Sequence, residues 1–189
     1  MKDVEIEIQV RLKGSDILEK YLNKYGSSKN KNYQKDEYFT PPHNNFLAKE
    51  PVSEWLRLRE SNKNSINYKK WHYKNGKSTH CDEYESEIGD IRLMRKMLEA
   101  LGYKTIAVVE KTRKTWQYKD YEVAIDSITN LGNFVEVEYK GKLESVDPVV
   151  ITAEMIAFLK SVGCTNLERN HVGYPYMLLY PERQVFEAV

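Results

Sequence analysis

The chain has 189 residues and a formal net charge of +1, from 29 basic and 28 acidic residues. Hydrophobic residues make up 41% and charged residues 30%, a globular composition that excludes disordered and fibrous classes, and the balanced charge argues against a partner such as double-stranded nucleic acid. No apolar run is long enough to span a bilayer, and Met1 to Val10 lacks the basic and apolar regions of a signal peptide, so a cytoplasmic protein with no membrane partner is expected.

Val4 to Lys13 alternates strictly, with Val4, Ile6, Ile8, Val10 and Leu12 on one side and Glu5, Glu7, Gln9 and Arg11 on the other. That is the period of a strand. Ser15 and Asp16 can cap a helix through Tyr25, which Gly26 ends. Lys31 to Thr40 reads as a second strand, and Pro41, Pro42, Asn44 and Asn45 as a loop. Glu54 to Glu60 and Ser65 to Lys74 read as strands joined by a polar turn. Asn75-Gly76 is a turn signal, and Asp82 to Ile88 reads as a fifth strand. Asp90 can cap a helix whose Ile91, Met94, Leu98 and Leu101 share a face, closed by Gly102. Lys104 to Tyr118 and Tyr121 to Thr129 read as a hairpin, followed by a strand from Phe134 to Lys140. Pro148 reads as loop, and Thr152 as the cap of a helix through Val162. A short helix is expected from Tyr174-Pro175, limited by Pro181. About eight strands and three or four helices result, with no linker that demands a second domain. Three times a strand carrying Glu-x-Glu precedes a helix ending near glycine: from Glu5, from Glu85 and from Glu136.

The strands share a polar face. Glu5 and Glu7, Arg57 and Arg59, Glu83, Glu85 and Glu87, Lys111 and Arg113, and Glu136 and Glu138 each repeat one sign of charge at alternate positions, with Lys69 and Asp126 on further strands. An open sheet with one solvated face explains any one strand. Closing the sheet would put the charges inside, where they need partners. Carboxylates suit Mg²⁺ or Mn²⁺, and arginine and lysine suit phosphate oxygens, so the set has the composition of a phosphoryl-transfer site.

Other chemistries have less support. No P-loop, Gly-x-Gly-x-x-Gly or His-Glu-x-x-His appears. His43, His72, His80 and His171 are scattered, and Cys81 and Cys164 have no metal-ligand spacing and are expected to be reduced. Trp71, His72 and Tyr73 could stack a base or simply belong to a strand.

In order along the chain, Glu5-Ile6-Glu7-Ile8-Gln9, Trp55-Leu56-Arg57-Leu58-Arg59, Tyr68-Lys69, Glu83-x-Glu85-x-Glu87, Leu101-Gly102-Tyr103, Glu110-Lys111-x-Arg113, Asp126 and Leu131-Gly132-Asn133-Phe134-Val135-Glu136-Val137-Glu138 resemble the CYTH proteins, the triphosphate tunnel metalloenzymes. Gly173-Tyr174 with Leu178-Leu179 is similar to that family's C-terminal segment. The stretch from Leu101 to Glu138 is most similar to class IV adenylyl cyclases and their relatives. The resemblance implies an α+β fold: one domain over residues 1–189, an antiparallel eight-stranded β-barrel with helices outside. It implies Mg²⁺ or Mn²⁺ as cofactor and a triphosphate as partner, either ATP, tripolyphosphate or a similar compound. Glu5, Glu7, Glu136 and Glu138 would be the metal group. Arg57, Arg59, Lys69, Lys111 and Arg113 would hold phosphates. Glu83, Glu85 and Asp126 would be the catalytic and supporting acids of the tunnel. Homodimers are frequent in the family.

One position departs from the signature. Gln9 stands where the family has lysine, and a neutral amide cannot offset phosphate charge. Arg11 lies two residues on and is a candidate substitute. Three activities therefore stay open: cyclisation of ATP to cyclic AMP and pyrophosphate, hydrolysis of a triphosphate, and binding of nucleotide or polyphosphate without turnover.

Overall fold

The computed structural model describes residues 4–12, 14–143, 146–183 and 185–189. In chain order the elements are β1 (Val4–Glu5), β2 (Glu7–Arg11), α1 (Asp16–Tyr25), β3 (Ser27–Thr40), β4 (Glu54–Glu60), β5 (Ser65–Lys74), β6 (Lys77–Glu87) and α2 (Ile91–Ala100). They continue with β7 (Lys104–Tyr118), β8 (Tyr121–Ile128), β9 (Gly132–Tyr139), α3 (Pro148–Ser161), β10 (Glu168–Asn170), α4 (Tyr174–Leu179) and β11 (Phe186–Ala188). A single turn of 3₁₀ helix covers Phe46–Ala48.

The local chemistry explains most boundaries. Asp90 accepts from the backbone N–H groups of Arg92 and Leu93, which caps α2. Gly102 follows that helix at a φ of +83°, a conformation that costs glycine little and other residues more. Asn75 and Gly76 both have positive φ, 53° and 77°, as the tight hairpin between β5 and β6 requires.

All strands pair antiparallel in one curled eleven-stranded sheet, in the order β1-β6-β5-β4-β3-β7-β8-β9-β2-β10-β11. The expectation of eight strands is corrected in two ways. The first strand is two, because at Ile6 the ladder changes partner: β1 pairs with β6, whereas β2 pairs with β9. The Ile6 carbonyl accepts from the Tyr139 N–H at that junction. The N-terminal segment is thus hydrogen-bonded to strands from both halves of the series. In addition β10 and β11, three residues each, extend the sheet beyond β2.

Three further expectations are corrected. β3 and β6 begin earlier, at Ser27 and Lys77, because their extra residues find ladder partners in β7 and β5. Pro148 is not loop but the first residue of α3, where its missing N–H costs nothing. The cap is Asp147, whose side chain accepts from Val149 N–H; Thr152 lies a turn inside the helix and is buried.

The outward face is apolar. Ile6, Ile8, Val10, Val123, Ile125, Val135 and Val137 pack against Leu18 and Leu22 of α1 and Ile151, Met155 and Leu159 of α3. Leu58 and Phe39 pack against Ile91 and Leu98 of α2. Each such side chain contributes roughly 1.5–3 kcal/mol when fully buried. Because strand residues alternate, covering this face commits every second residue to the concave side.

Candidate functional site

The concave side carries the charges. Register sets them in rows: Arg59 lies opposite Asp36 and Ser65, and Arg57 opposite Tyr38 and Asn67. Lys69 lies opposite Trp55 and Glu83, and Arg113 opposite Asn32 and Asp126. A cavity of about 70 Å³ is lined by Glu7, Gln9, Arg57, Lys69, Lys111, Arg113 and Glu136, with Tyr38, Trp55, Trp71 and Tyr174 toward one end. Ten of the twelve site residues expected from sequence belong to this cavity or to the ion pairs around it. Glu138 and Glu85 sit at a side opening with Glu5 and Glu83, and Glu85 is exposed, accepting from Ser65 Oγ at 2.8 Å.

Two buried aspartates organise the basic residues. Asp126 is fully buried. It accepts from Arg113 Nε at 2.7 Å and Nη2 at 2.6 Å, Lys111 Nζ at 3.2 Å and Tyr174 Oη at 3.1 Å. Burial alone would raise its pKa, but Arg113 and Lys111 hold it below the usual carboxylate value. Asp36, on β3, does the same, taking Nε and Nη2 of Arg59 at 2.7 Å each, with Arg57 Nη1 at 3.7 Å. Burial again opposes and Arg59 and Arg57 prevail, so Asp36 stays ionised. An arginine has five donors; each aspartate fixes one edge of a guanidinium and leaves the rest for a ligand. Arg57 Nε is buried without a partner among the described residues.

Lys111 shows what this crowding does. It is 2% exposed, and burial, followed by the neighbouring Arg113, pushes its pKa down to about 8. A cation destabilised in this way gains from an arriving anion.

The acidic residues sit on the remaining strands. Lys69 Nζ reaches Glu5 at 2.7 Å, Glu7 at 3.2 Å and Glu83 at 3.6 Å. Glu83 also accepts from Asn67 Nδ2. Glu7 is pushed up to about 7, first by burial and then by Glu136, Glu5 and Glu83, with Lys69 opposing. Glu136 bonds Arg113 Nη2 at 3.0 Å; burial would raise it, but Arg113, Lys111 and Lys69 hold it low. Glu138 pairs with Lys140.

Gln9 and Arg11 have definite partners. Gln9 donates to Glu136 at 3.1 Å and accepts from Asn170 of β10 at 2.6 Å. Arg11 bonds Glu168 at 2.7 Å and lies 3.8 Å over the Phe186 ring. It is therefore held away from the cavity and does not replace the absent lysine, which corrects that expectation. Of the base-stacking candidates, Trp71 lines the cavity. His72 is outside, stacked on His80 at 4.5 Å, and Tyr73 bonds the carbonyls of Val52 and His171.

Asp36, Asn67 and Asn170 were not anticipated. Asp36 lies between Lys35 and Glu37, a run that resembles surface charge; its alternation with Gln34 and Tyr38 was the available signal. As a metal site, the donor set is all oxygen, which suits a hard divalent ion, and Glu7 is raised first by burial and then by the carboxylates of Glu136, Glu5 and Glu83. Among the described residues no three His, Cys, Asp or Glu groups already converge around one point; in this conformation Lys69 stands among the carboxylates.

A family model described as the CYTH domain matches residues 3–158. A Methanocaldococcus jannaschii protein bearing the name "Putative adenylate cyclase MJ0240" is 28% identical over 161 residues, which is 85% of this chain and 90% of that protein. A solved protein from Pyrococcus horikoshii superposes with a TM-score of 0.76 at 25% identity, over 95% of this chain and 99% of its own. A Hippeastrum protein described as having a dominant triphosphatase activity superposes at 0.63 with 17% identity, over 95% and 97%; that likeness speaks to the fold.

Proposed function

The chain belongs to the CYTH family, and from that premise we propose that it is a metal-dependent enzyme acting on a triphosphate inside a β-tunnel, in the manner of class IV adenylyl cyclases. The observation that carries this reading is the pair of buried aspartates, Asp36 holding Arg57 and Arg59 and Asp126 holding Arg113 and Lys111, beside a cavity that Glu7 and Glu136 also line. The double pairing of the N-terminal segment, β1 with β6 and β2 with β9, supports reading the concave sheet as a tunnel. We read residues 1–189 as one domain, because beyond the matched stretch α4 supplies Tyr174 to the same cavity and Asn170 of β10 donates to Gln9, which lines it.

Arg57, Arg59 and Arg113 would take phosphate oxygens through the donors their aspartates leave free, and Lys69 and Lys111 would add point charges. Glu5, Glu7, Glu136 and Glu138 would hold Mg²⁺ or Mn²⁺. When bound, the ion supplies positive charge against the phosphate oxygens. Binding there requires Glu7 to lose its proton and Lys69 to turn from the carboxylates toward phosphate, a motion its flexible stem allows. Asp126 would act as a positioning residue, while Glu83 and Glu85 would steady Lys69 and water at the side opening.

Cyclisation would need the substrate's own hydroxyl as nucleophile, and hydrolysis a water in the same place. Both use positioning and electrostatics from the same residues. The test is product analysis after incubation with ATP, tripolyphosphate or thiamine triphosphate and Mg²⁺ or Mn²⁺. Cyclic AMP with pyrophosphate is the expected outcome. Orthophosphate release would favour the triphosphatase reading, and tight binding with no turnover under either ion would leave only a binding module.

A further inference from the structure

The two ends of the cavity differ. At one end Tyr38, Trp55, Val109, Ile128 and Phe134 hold the inward positions, and Tyr174 and Met177 of α4 pack onto them. Tyr38, Trp55 and Tyr174 wall the cavity there. At the other end lies a second, open pocket of about 420 Å³, walled by Asn30, Asn32, Gln34, Ser61, Ser65 and Glu85 among others, with no apolar side chain among the described residues that line it.

Two carbonyl oxygens at the open end have no hydrogen-bond partner among the described residues. Ser61 Oγ donates to the Tyr33 carbonyl at 3.1 Å, so it accepts from Asn32 Nδ2 at 2.9 Å. This fixes the Asn32 amide and leaves its Oδ1 buried and unbonded. Gln34 is 6% exposed, and its Oε1 is also unbonded. Of the nearby donors, Nε and Nη2 of Arg59 serve Asp36 and Lys63 serves Glu87, and no donor among the described residues bonds either oxygen. In the β3–β7 register Gln34 faces Lys111 and Asn32 faces Arg113. The unbonded acceptors therefore adjoin the cations of the phosphate reading.

Phosphate oxygens are acceptors and cannot satisfy a carbonyl. These two groups are therefore matched to some other part of a ligand. Resting on the triphosphate reading, we infer that the open end is the subsite for the substrate's non-phosphate tail, and that Asn32 and Gln34 select a tail carrying N–H or O–H donors. A tail attached to phosphates held by Lys111 and Arg113 meets Gln34 and Asn32 on the neighbouring strand. A nucleoside, with sugar hydroxyls and an amino group on its base, has the required chemistry. Inorganic tripolyphosphate does not, so the two compounds separate the contribution of the tail from that of the phosphates.

The test is calorimetric binding of ATP and of tripolyphosphate, each with Mg²⁺, to wild type, Gln34→Leu and Asn32→Ala. The expected result is that the ratio of ATP affinity to tripolyphosphate affinity falls about fivefold in each variant, the size of one lost hydrogen bond. Gln34→Glu, which keeps an acceptor, is expected to keep the ratio. If Gln34→Leu does not fold, the half-buried Asn32 carries the test. A ratio unchanged in the folded variants overturns the inference while leaving the triphosphate reading in place. Wild type that binds neither compound overturns the triphosphate reading, and this inference with it.

Discussion

Asp126 accepts from Arg113, Lys111 and Tyr174 at once. Asp126→Asn keeps the shape and removes the charge, leaving two buried cations with less compensation. The expected cost is about 3–5 kcal/mol, read as a fall in the denaturant midpoint at unchanged slope; a loss below roughly 0.5 kcal/mol, as at an ordinary surface site, would refute the positioning role. Glu7 makes the opposite prediction. Its pKa is pushed up to about 7 from an ordinary 4.5. Between those values the folded protein holds a proton that the unfolded chain has released, so this group's contribution is complete below pH 4.5 and is lost as pH rises through 7. Glu7→Gln, neutral throughout, should therefore exceed wild type in stability by about 1–3 kcal/mol at pH 8 in EDTA, and match it near pH 4.5. A pH-independent difference between the two melting curves would refute this. The alternating Arg57, Arg59, Lys111, Arg113, Glu136 and Glu138 were legible in the sequence because their charges repeat on one strand face. Asp36 was not, because its neighbours Lys35 and Glu37 are charged as well and its partner Arg59 lies 23 positions away.

Among the elements, the long ones were legible and the short or borrowed ones were not. β4, β5 and β7 match the alternation end to end, since each covers one apolar face. β10 and β11 are three residues each, too short for a period, and exist because β2 offers Gln9, Val10 and Arg11 as ladder partners. The start of α3 was misread because Thr152 and Asp147 are both capping residue types, and only the fold shows which carboxylate or hydroxyl meets a free N–H. That choice is testable. Asp147→Ala removes the bond to Val149 N–H and should cost about 1 kcal/mol. Thr152→Val, at a buried position inside the helix, should leave the start of α3 intact, with amide exchange of Val149 and Val150 as the reporter. Faster exchange at those amides in Thr152→Val than in Asp147→Ala would return the cap to Thr152.

Across the whole molecule a net charge of +1 conceals a segregated distribution. Around the cavity and its side opening, Glu5, Glu7, Asp36, Glu83, Glu85, Asp126, Glu136 and Glu138 outnumber Arg57, Arg59, Lys69, Lys111, Arg113 and Lys140 by two. A triphosphate would add further negative charge to an interior already in surplus, which is costly where water is scarce. The order of binding follows: the divalent ion comes with or before the triphosphate. Mg²⁺ or Mn²⁺ alone should raise the melting temperature, because it offsets the carboxylates that now share Lys69. At a hundredfold excess over its dissociation constant the gain is about 2.7 kcal/mol, roughly 5–10 °C for a chain of this size. Tripolyphosphate in EDTA should give little or no shift, and tripolyphosphate with metal the largest. An equal shift from tripolyphosphate with and without EDTA would mean that the basic residues alone accommodate the anion, and that Glu5, Glu7, Glu136 and Glu138 stabilise Lys69 and Arg113 rather than an ion.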